Sequence, residues 1–320
     1  MNDTNLYIVV PCYNEEAVLP ETSKRMLELM EKMNNDGLIN SKSKIIFVDD
    51  GSKDKTWDII DRLTHEHEQI GGVKLACNAG HQNALFGGMM TVKDDCDCII
   101  SIDADLQDDI YVIPDMVKKF NEGCDVVYGV RNKRDTDTFF KRSTALGFYK
   151  LMQAMGVKMV YNHADYRLMS RRAVDALAEF PERNLFLRGM VPLTGFKSDC
   201  VYYDRNERFA GESKYPLKKM LSFAVDGITS FSVSPIRMIS TLGFVVCIFS
   251  VIMAIYAIYE KIVGNTDAGW ASLMLSIWFI GGVQLLSIGL IGEYIGKIYK
   301  EVKRRPRYIV EEIIGDTSQR

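Results

Sequence analysis

Residues 98–109 read Cys-Ile-Ile-Ser-Ile-Asp-Ala-Asp-Leu-Gln-Asp-Asp. The first five are a short apolar run of the kind that forms a strand buried on both faces. Four carboxylates follow within the next seven residues. Like charges crowded at the end of a buried strand destabilise one another unless a cation joins them. Carboxylate and amide oxygens suit Mg²⁺ or Mn²⁺, and those ions suit a diphosphate. The stretch therefore predicts a strand whose carboxyl end carries a ligand site. Asp103 and Asp105 read as metal ligands, with helix capping as the alternative, and Asp108 and Asp109 as cap or loop residues.

Upstream and downstream the same grammar repeats. Residues 6–10 (LYIVV), 44–48 (KIIFV), 73–76 and 125–128 (DVVY) read as further strands. Residues 15–33, 54–68, 82–93 and 113–122 have helical spacing, and Leu19, Met26, Leu29, Met30 and Met33 mark one apolar face that belongs to a core. Alternation of this kind predicts an α/β fold with a mainly parallel sheet covered on both sides and ligands at the carboxyl ends of its strands. The first strand runs into Pro11-Cys12-Tyr13-Asn14-Glu15-Glu16 and the second into Asp49-Asp50-Gly51-Ser52. Neither turn is the G-x-G-x-x-G of a dinucleotide fold, which argues against a nicotinamide or flavin enzyme.

The chain has 320 residues, enough for roughly two structural units. Its 39 basic and 42 acidic residues give a net charge of −3, which excludes a general nucleic-acid affinity. Seven cysteines, an odd number without a C-x-x-C pair, fit a reduced, cytosol-facing location better than a disulfide framework or a zinc site. No signal peptide is evident in MNDTNLYIVVPCYNEE. The mean hydropathy of −0.04 conceals two uncharged runs, 22 residues at 238–259 and 25 at 268–292. About 20 residues suffice to cross the hydrocarbon core, so both read as membrane spans.

The flanks set an orientation. Lys214, Lys218, Lys219 and Arg237 precede the first span, and Lys297, Lys300, Lys303, Arg304, Arg305 and Arg307 follow the second. The intervening 260–267 holds one Lys and two acids. The positive-inside rule then puts the α/β domain and both termini in the cytosol, on a multi-pass protein of the plasma membrane. Residues 215–237 mix Lys with Leu, Met and Phe, and read as an amphipathic segment in the bilayer interface or as a linker helix packed on the domain. The expected division is a catalytic domain over 1–214, this juxtamembrane segment over 215–237, a two-helix hairpin over 238–292 and a basic cytosolic tail over 293–320.

In order along the chain stand P-x-Y-N-E at 11–15, D-D-G-S at 49–52, D-A-D-L-Q-D at 103–108 and G-V-R at 129–131. They are followed by D-Y-R-L-M-S at 165–170, R-x-x-G-E-S-K-Y at 208–215 and G-E-Y at 292–294. This series resembles the inverting family-2 glycosyltransferases of the Rossmann-like GT-A fold. Within them it is similar to the polyprenyl-phosphate glycosyltransferases, namely dolichyl-phosphate mannose synthases and bacterial bactoprenol glucosyltransferases. The resemblance implies a metal-dependent enzyme with interfacial helices and two transmembrane helices after its GT-A domain. Pro11, Tyr13 and Glu15 would then sit beside the nucleoside and Asp50 would contact its base. Asp103, Asp105 and Gln107 would hold Mg²⁺ or Mn²⁺ and, through it, the donor diphosphate. Arg131 and Arg142 match the positions that receive the acceptor phosphate, with a solvated helix residue as the alternative for Arg142. Arg208, Ser213 and Lys214 match the loop that closes over the donor phosphates. Asp105, Arg131 and Lys214 form the expected catalytic set.

The implied reaction moves a sugar, glucose or N-acetylglucosamine from a UDP donor, to undecaprenyl phosphate with inversion. A lipid phosphate is already anionic and needs no general base, whereas a sugar hydroxyl does. The chain contains no Glu-Asp dipeptide, in which related hydroxyl-directed transferases place their base. It also lacks the Q-x-x-R-W of processive synthases, since Trp57, Trp270 and Trp278 all lack a preceding Arg. Transfer to a lipid or glycan hydroxyl is the enzymatic alternative, and a non-catalytic membrane scaffold the alternative from another class. Two departures stand out: Cys77-Asn78-Ala79-Gly80-His81 replaces R-N-x-G plus a basic residue, and Asp109-Ile110 replaces the usual prolines. His81 reads as a polar loop residue or a phosphate ligand, and Arg167 as an ion-pair partner of Asp165 or a functional residue. Gly281, Gly282, Gly289 and Gly292 suit close helix packing, either in a homo-oligomer or between two spans of one chain.

Overall fold

The computed structural model describes residues 4–132, 163–183, 185–204, 234–263 and 269–315, which divide into two units. The first unit is built on an eight-stranded sheet. Its elements are β1 (Leu6–Cys12), α1 (Leu19–Asn35), β2 (Lys44–Asp49), α2 (Thr56–Glu66), β3 (Ile70–Leu75), α3 (His81–Val92) and β4 (Cys98–Ser101). There follow α4 (Ile113–Asn121), β5 (Val126–Arg131), β6 (His163–Ser170), α5 (Arg171–Ala178), the short α6 (Leu187–Met190), β7 (Ser198–Tyr203) and, at the chain's end, β8 (Val310–Ile314).

The strand order is β7-β5-β6-β4-β1-β2-β3-β8. The central four, β4-β1-β2-β3, are parallel, and β6 and β8 run antiparallel to their neighbours. From β1 the order proceeds to β2 and β3 on one side and to β4 on the other. This reversal opens a crevice at the carboxyl ends of β1 and β4, the place where such sheets bind ligands. The four central strands are buried on both faces, as their continuous apolar runs require. Leu19, Met26, Leu29, Met30 and Met33 of α1 all join the core. Helix α3 lies so close to β1 and β2 that a Cβ at Gly88 would meet Val48 Cγ2 at 2.4 Å and Val9 Cγ1 at 2.7 Å.

Several strands differ from the sequence reading: β6, β7 and β8 were not expected, and β5 runs on to Arg131. β3 starts at Ile70 rather than 73 because Gly71 and Gly72 carry no apolar side chain to signal it. At Gly72 the space is filled instead by Ile60 and Ile314. The expected basic tail over 293–320 is not one piece: 293–303 continue a helix, and 310–314 are β8, antiparallel to β3. Lys74 pairs with Glu311 at 3.4 Å and Lys44 donates to the Gly315 carbonyl at 2.8 Å. Arg307 stacks on the Phe86 ring at 4.7 Å and donates to the Phe180 carbonyl at 2.6 Å, while Tyr308 meets Phe86 edge-on.

The second unit holds α7 (Ser234–Val263) and α8 (Trp270–Lys303), which touch one another. Their apolar side chains, Leu242, Phe244, Val245, Phe249, Leu285 and Leu286 among them, stand exposed. Among the described residues one helix is long and apolar enough to cross a membrane: Phe279–Lys303, of mean hydropathy 1.4. It overlaps the expected second span at 268–292 but extends past it, because α8 continues through widely spaced Lys and Glu residues to Lys303. In the expected first span, Met238–Met253 is a shorter apolar stretch of α7. Arg142, Arg208, Ser213, Lys214 and nearly all of the 215–237 segment lie outside the described residues.

Candidate active site

The turn after β1 and the turn after β2 are laced together. The Asn14 amide donates to Ser52 Oγ at 3.0 Å, the Lys53 amide to Asn14 Oδ1 at 2.8 Å and the Glu15 amide to Thr56 Oγ1 at 2.9 Å. Pro11 is buried within β1, while Tyr13 stands half-exposed beyond it. Asn14 takes a positive φ of 54°, which Asn tolerates better than most residues. Asp49 is buried and accepts from the Ser52 amide, and burial raises its pKa against that bond.

Asp50 reaches the third strand end. Its Oδ1 accepts from the Ala79 amide at 2.6 Å and its Oδ2 from the Gly80 amide at 3.0 Å. Burial raises its pKa and these two donors oppose the rise. The carboxylate thus fixes the Cys77–Gly80 loop, the segment that departs from the family pattern, across the mouth of β2. Gly51 permits the approach: its φ is +66°, and a Cβ there would lie 2.7 Å from the Asn78 nitrogen.

After β4 the chain turns sharply through Leu106, whose φ of 56° is a left-handed conformation costly for a bulky residue. The turn carries Asp103, Asp105 and Gln107, and Asp105 Oδ1 accepts from the Gln107 amide at 3.2 Å. Burial, followed by the carboxylates of Asp165, Asp108 and Asp105, pushes the Asp103 pKa up, with His81 acting in the opposite sense. His81, the first residue of α3, lies between two acids: its Nε2 is 3.3 Å from Asp103 Oδ1 and 3.9 Å from Asp165 Oδ2.

Asp165, on β6, is the hub of the cluster. Its Oδ1 accepts from Arg167 Nη2 at 2.6 Å, and its Oδ2 accepts from Gln82 Nε2 and Arg188 Nη2, both at 3.0 Å. Burial acts to raise its pKa, but Arg188, Arg167 and His81 together hold it well below the usual carboxylate range. Arg167 is buried, and its Nε and Nη1 have no hydrogen-bond partner. Of the two roles open to Arg167 in the sequence, the structure shows the ion pair. Gln82 and Arg188 escaped the sequence reading altogether. His81 is more than a loop residue, since the register of β4 against β6 brings it between Asp103 and Asp165.

Arg131, the last residue of β5, is held by a residue read only as a cap or loop position. Its Nη2 lies 2.8 Å from Asp108 Oδ1, which also accepts from the Tyr203 hydroxyl at 2.5 Å. Burial acts to lower the Arg131 pKa, but Asp108 and Tyr203 hold it above its ordinary value. Asp109 behaves as expected, accepting from the Tyr111 amide at the start of a short 3₁₀ turn.

The donor set fits a hard divalent cation. Among the described residues no three His, Cys, Asp or Glu side chains are gathered for a metal. Mg²⁺ and its analogues need no such cage, because they take one or two carboxylates and complete their shell with water and substrate phosphates. Asp103, crowded by other acids, is the carboxylate that a cation would relieve, and Asp105 and Gln107 lie on the same turn.

In sequence and in fold the chain is similar to known glycosyltransferases. The pattern of glycosyl transferase family 2 matches residues 7–178, and that of the GtrB C-terminal hairpin matches 234–298. The chain is 59% identical over 306 residues to the uncharacterised glycosyltransferase YkoT of Bacillus subtilis, covering 96% of this chain and 91% of that one. It is 41% identical over 308 residues to a prophage bactoprenol glucosyl transferase homolog of Escherichia coli, covering 96% and 98%. It is also 41% identical over 307 residues to the bactoprenol glucosyl transferase of Shigella phage SfII, covering 95% and 97%. In fold it is similar to a mannosyltransferase of Pyrobaculum calidifontis solved with GDP-mannose and Mn²⁺. That likeness has a TM-score of 0.51 at 14% identity and covers 94% of this chain and 88% of that one.

Proposed function

Because the chain belongs to glycosyl transferase family 2, we propose that it moves a sugar from a nucleotide donor to polyprenyl phosphate at the cytosolic face of the plasma membrane. The donor is UDP-glucose or UDP-N-acetylglucosamine, the acceptor undecaprenyl phosphate, and the product a lipid-linked sugar for modifying a cell-envelope glycan. The names of the relatives from E. coli and phage SfII support the acceptor class.

One observation carries the choice of a phosphate acceptor. Two buried carboxylates act on Asp103: Asp165, whose oxygens are committed to Arg167, Arg188 and Gln82, and Asp108, which is held by Arg131 and Tyr203. A carboxylate so paired is a poor proton acceptor, whereas attack by a sugar hydroxyl needs a base. A phosphate oxygen attacks the anomeric carbon as the bond to the diphosphate breaks, and no proton has to be moved. In-line attack inverts the configuration and gives a β-linked product from an α-linked donor.

The residues divide the work. Asp50 and the loop it holds, with Pro11, Tyr13 and Glu15, receive the nucleoside. Asp103, Asp105 and Gln107 hold Mg²⁺ or Mn²⁺, which supplies charge stabilisation to the departing diphosphate. Arg131, kept charged and oriented by Asp108, meets the acceptor phosphate. Arg208, Ser213, Lys214 and Arg142 keep the roles that the family likeness gives them.

The path of the chain supports two membrane crossings. Residues 305–320 belong to the same folded unit as residues 1–153, so the intervening 216–304 leave and re-enter one body. Such a segment crosses a bilayer an even number of times, which favours a hairpin of α7 and α8 and agrees with the family match over 234–298. The test is to incubate the full-length protein in membranes with labelled UDP-glucose, UDP-N-acetylglucosamine or GDP-mannose, with and without undecaprenyl phosphate. Label is expected in the lipid extract only when the acceptor is added. Absence of a lipid-linked product with every donor overturns the reading.

A further inference from the structure

The turn that carries Asp103, Asp105 and Gln107 stands in a conformation that its own sequence does not favour. Leu106, at its centre, has a φ of 56°, a region that bulky L residues avoid. Glycine would take it freely, yet the position holds a leucine buried in the core. Backbone strain of this kind persists only where the surrounding structure over-determines it. The surroundings here are three hydroxyls on buried side chains, from α1, β6 and β7, spaced along the turn.

Thr22 of α1 is fully buried, and its hydroxyl donates to the Ala104 carbonyl at 2.8 Å. The Val18 carbonyl, the ordinary partner of a helical threonine one turn on, is farther away at 3.1 Å. Thr22 thus reaches out of its own helix to the peptide between the two aspartates. Beyond Leu106, the Tyr166 hydroxyl donates to the Asp109 carbonyl at 3.0 Å, and the Tyr203 hydroxyl to Asp108 Oδ1 at 2.5 Å. The two tyrosine rings pack edge to face with centroids 5.4 Å apart. Tyr166 has its place because residue 129 is glycine: a Cβ there would lie 2.7 Å from Tyr166 Cδ1. Gly129 of G-V-R and Tyr166 of D-Y-R, two motif residues with no part in the sugar transfer, thereby acquire a task.

Resting on the reading of this turn as the metal-binding element, we propose that Thr22, Tyr166 and Tyr203 are positioning residues that hold residues 103–109 in their strained form and so present Asp103 and Asp105 ready for a divalent cation. A binding-competent state that is populated only in part weakens apparent affinity by that fraction. The hydroxyls raise the fraction by fixing the turn on both sides of Leu106, at Ala104 before it and at Asp108 and Asp109 after it. They do so as neutral groups, which leaves the charge balance around Asp103 unchanged.

The test is titration of the detergent-solubilised full-length protein with MnCl₂, without nucleotide, the free ion being followed by its electron paramagnetic resonance signal. The melting temperature of each variant is recorded alongside. Thr22→Val, Tyr166→Phe and Tyr203→Phe remove a hydroxyl and little else, and each should weaken Mn²⁺ binding about fivefold or more, the equivalent of one neutral hydrogen bond. Thr22→Ser keeps the hydroxyl and should bind as the wild type does, while Asp103→Asn sets the baseline of lost binding. If Thr22→Val does not fold, the two tyrosine variants carry the test. A lower melting temperature with unchanged Mn²⁺ affinity in the folded variants marks merely structural hydroxyls and overturns the proposal. So does binding by Asp103→Asn as tight as that of the wild type, which places the ion elsewhere, and so does a wild type that binds no Mn²⁺. The measurement needs neither donor nor acceptor. A protein that behaves as expected in it but makes no polyprenyl product refutes the proposed acceptor alone.

Discussion

Arg131 and Asp108 form a half-sheltered ion pair, Nη2 to Oδ1 at 2.8 Å, at the junction of the β5 end and the Asp103 turn. Asp108 is 2% exposed, so the pair is set in protein rather than in water. Removing one partner of a buried pair leaves an uncompensated charge and costs about 3 kcal/mol or more. Asp108→Ala should therefore lower stability by roughly that amount, read as a fall in melting temperature. Arg131→Ala should raise the KM for undecaprenyl phosphate more than the KM for the donor. The reverse pattern would assign Arg131 to the donor.

Charge crowding at Asp103 gives a metal-dependent prediction. A carboxylate whose pKa is raised on folding opposes the folded state at neutral pH, and a bound divalent cation removes that opposition. Mn²⁺ should raise the melting temperature of the wild type and have little effect on Asp103→Asn or Asp105→Asn. Both variants should be inactive. Full turnover in excess chelator would remove the metal from the reaction.

Asp165 sets an acid limit. Its pKa is depressed in the folded protein, so the unfolded chain binds the proton more readily as pH falls. The stability it contributes is present above the unfolded value of about 3.9 and is lost as pH drops from there towards the folded value. Asp125, lowered by its bond to Arg172, adds to the same window. Melting temperature should fall steeply below about pH 4, and Asp165→Asn should make the fall shallower. An unchanged slope in that variant contradicts the assignment.

Gly51→Ala probes the nucleoside side. The added methyl meets the Asn78 nitrogen in a left-handed backbone, a strain of about 1–3 kcal/mol. The variant should lose UDP affinity through displacement of the 77–80 loop, with the acceptor KM unchanged. Retained affinity would show that the loop does not contribute to donor binding.

The strand ends were legible because each motif follows an apolar run at once: Asp49-Asp50-Gly51 after KIIFV, and Asp103-Ala104-Asp105 after CIISI. The Met-rich face of α1 was legible from its spacing. The Asp165 hub was not. Its pairing with Arg167, two residues on along β6, was open to the sequence, but Gln82 and Arg188 lie 83 and 23 residues away, and only the tertiary fold brings them to it. Arg188 sits in a four-residue helix, too short to show a period. Its one signal was the pairing of a strand-borne Asp165 with an Arg that burial would leave in need of charge balance. β8 stayed hidden because Val-Glu-Glu-Ile-Ile lacks a two-residue alternation and follows a run of basic residues.

That strand also sets the order in which the molecule is finished. Chains emerge from the ribosome N-terminus first, so residues 70–75 are made long before 310–314, their partner in the sheet. Until α7 and α8 have been synthesised, β3 presents an open edge, a template for pairing with other chains. That edge is covered only by a strand made more than 230 residues later. A chain cut short between Lys303 and Val310 would keep every motif of the active site and yet leave the β3 edge open to pairing.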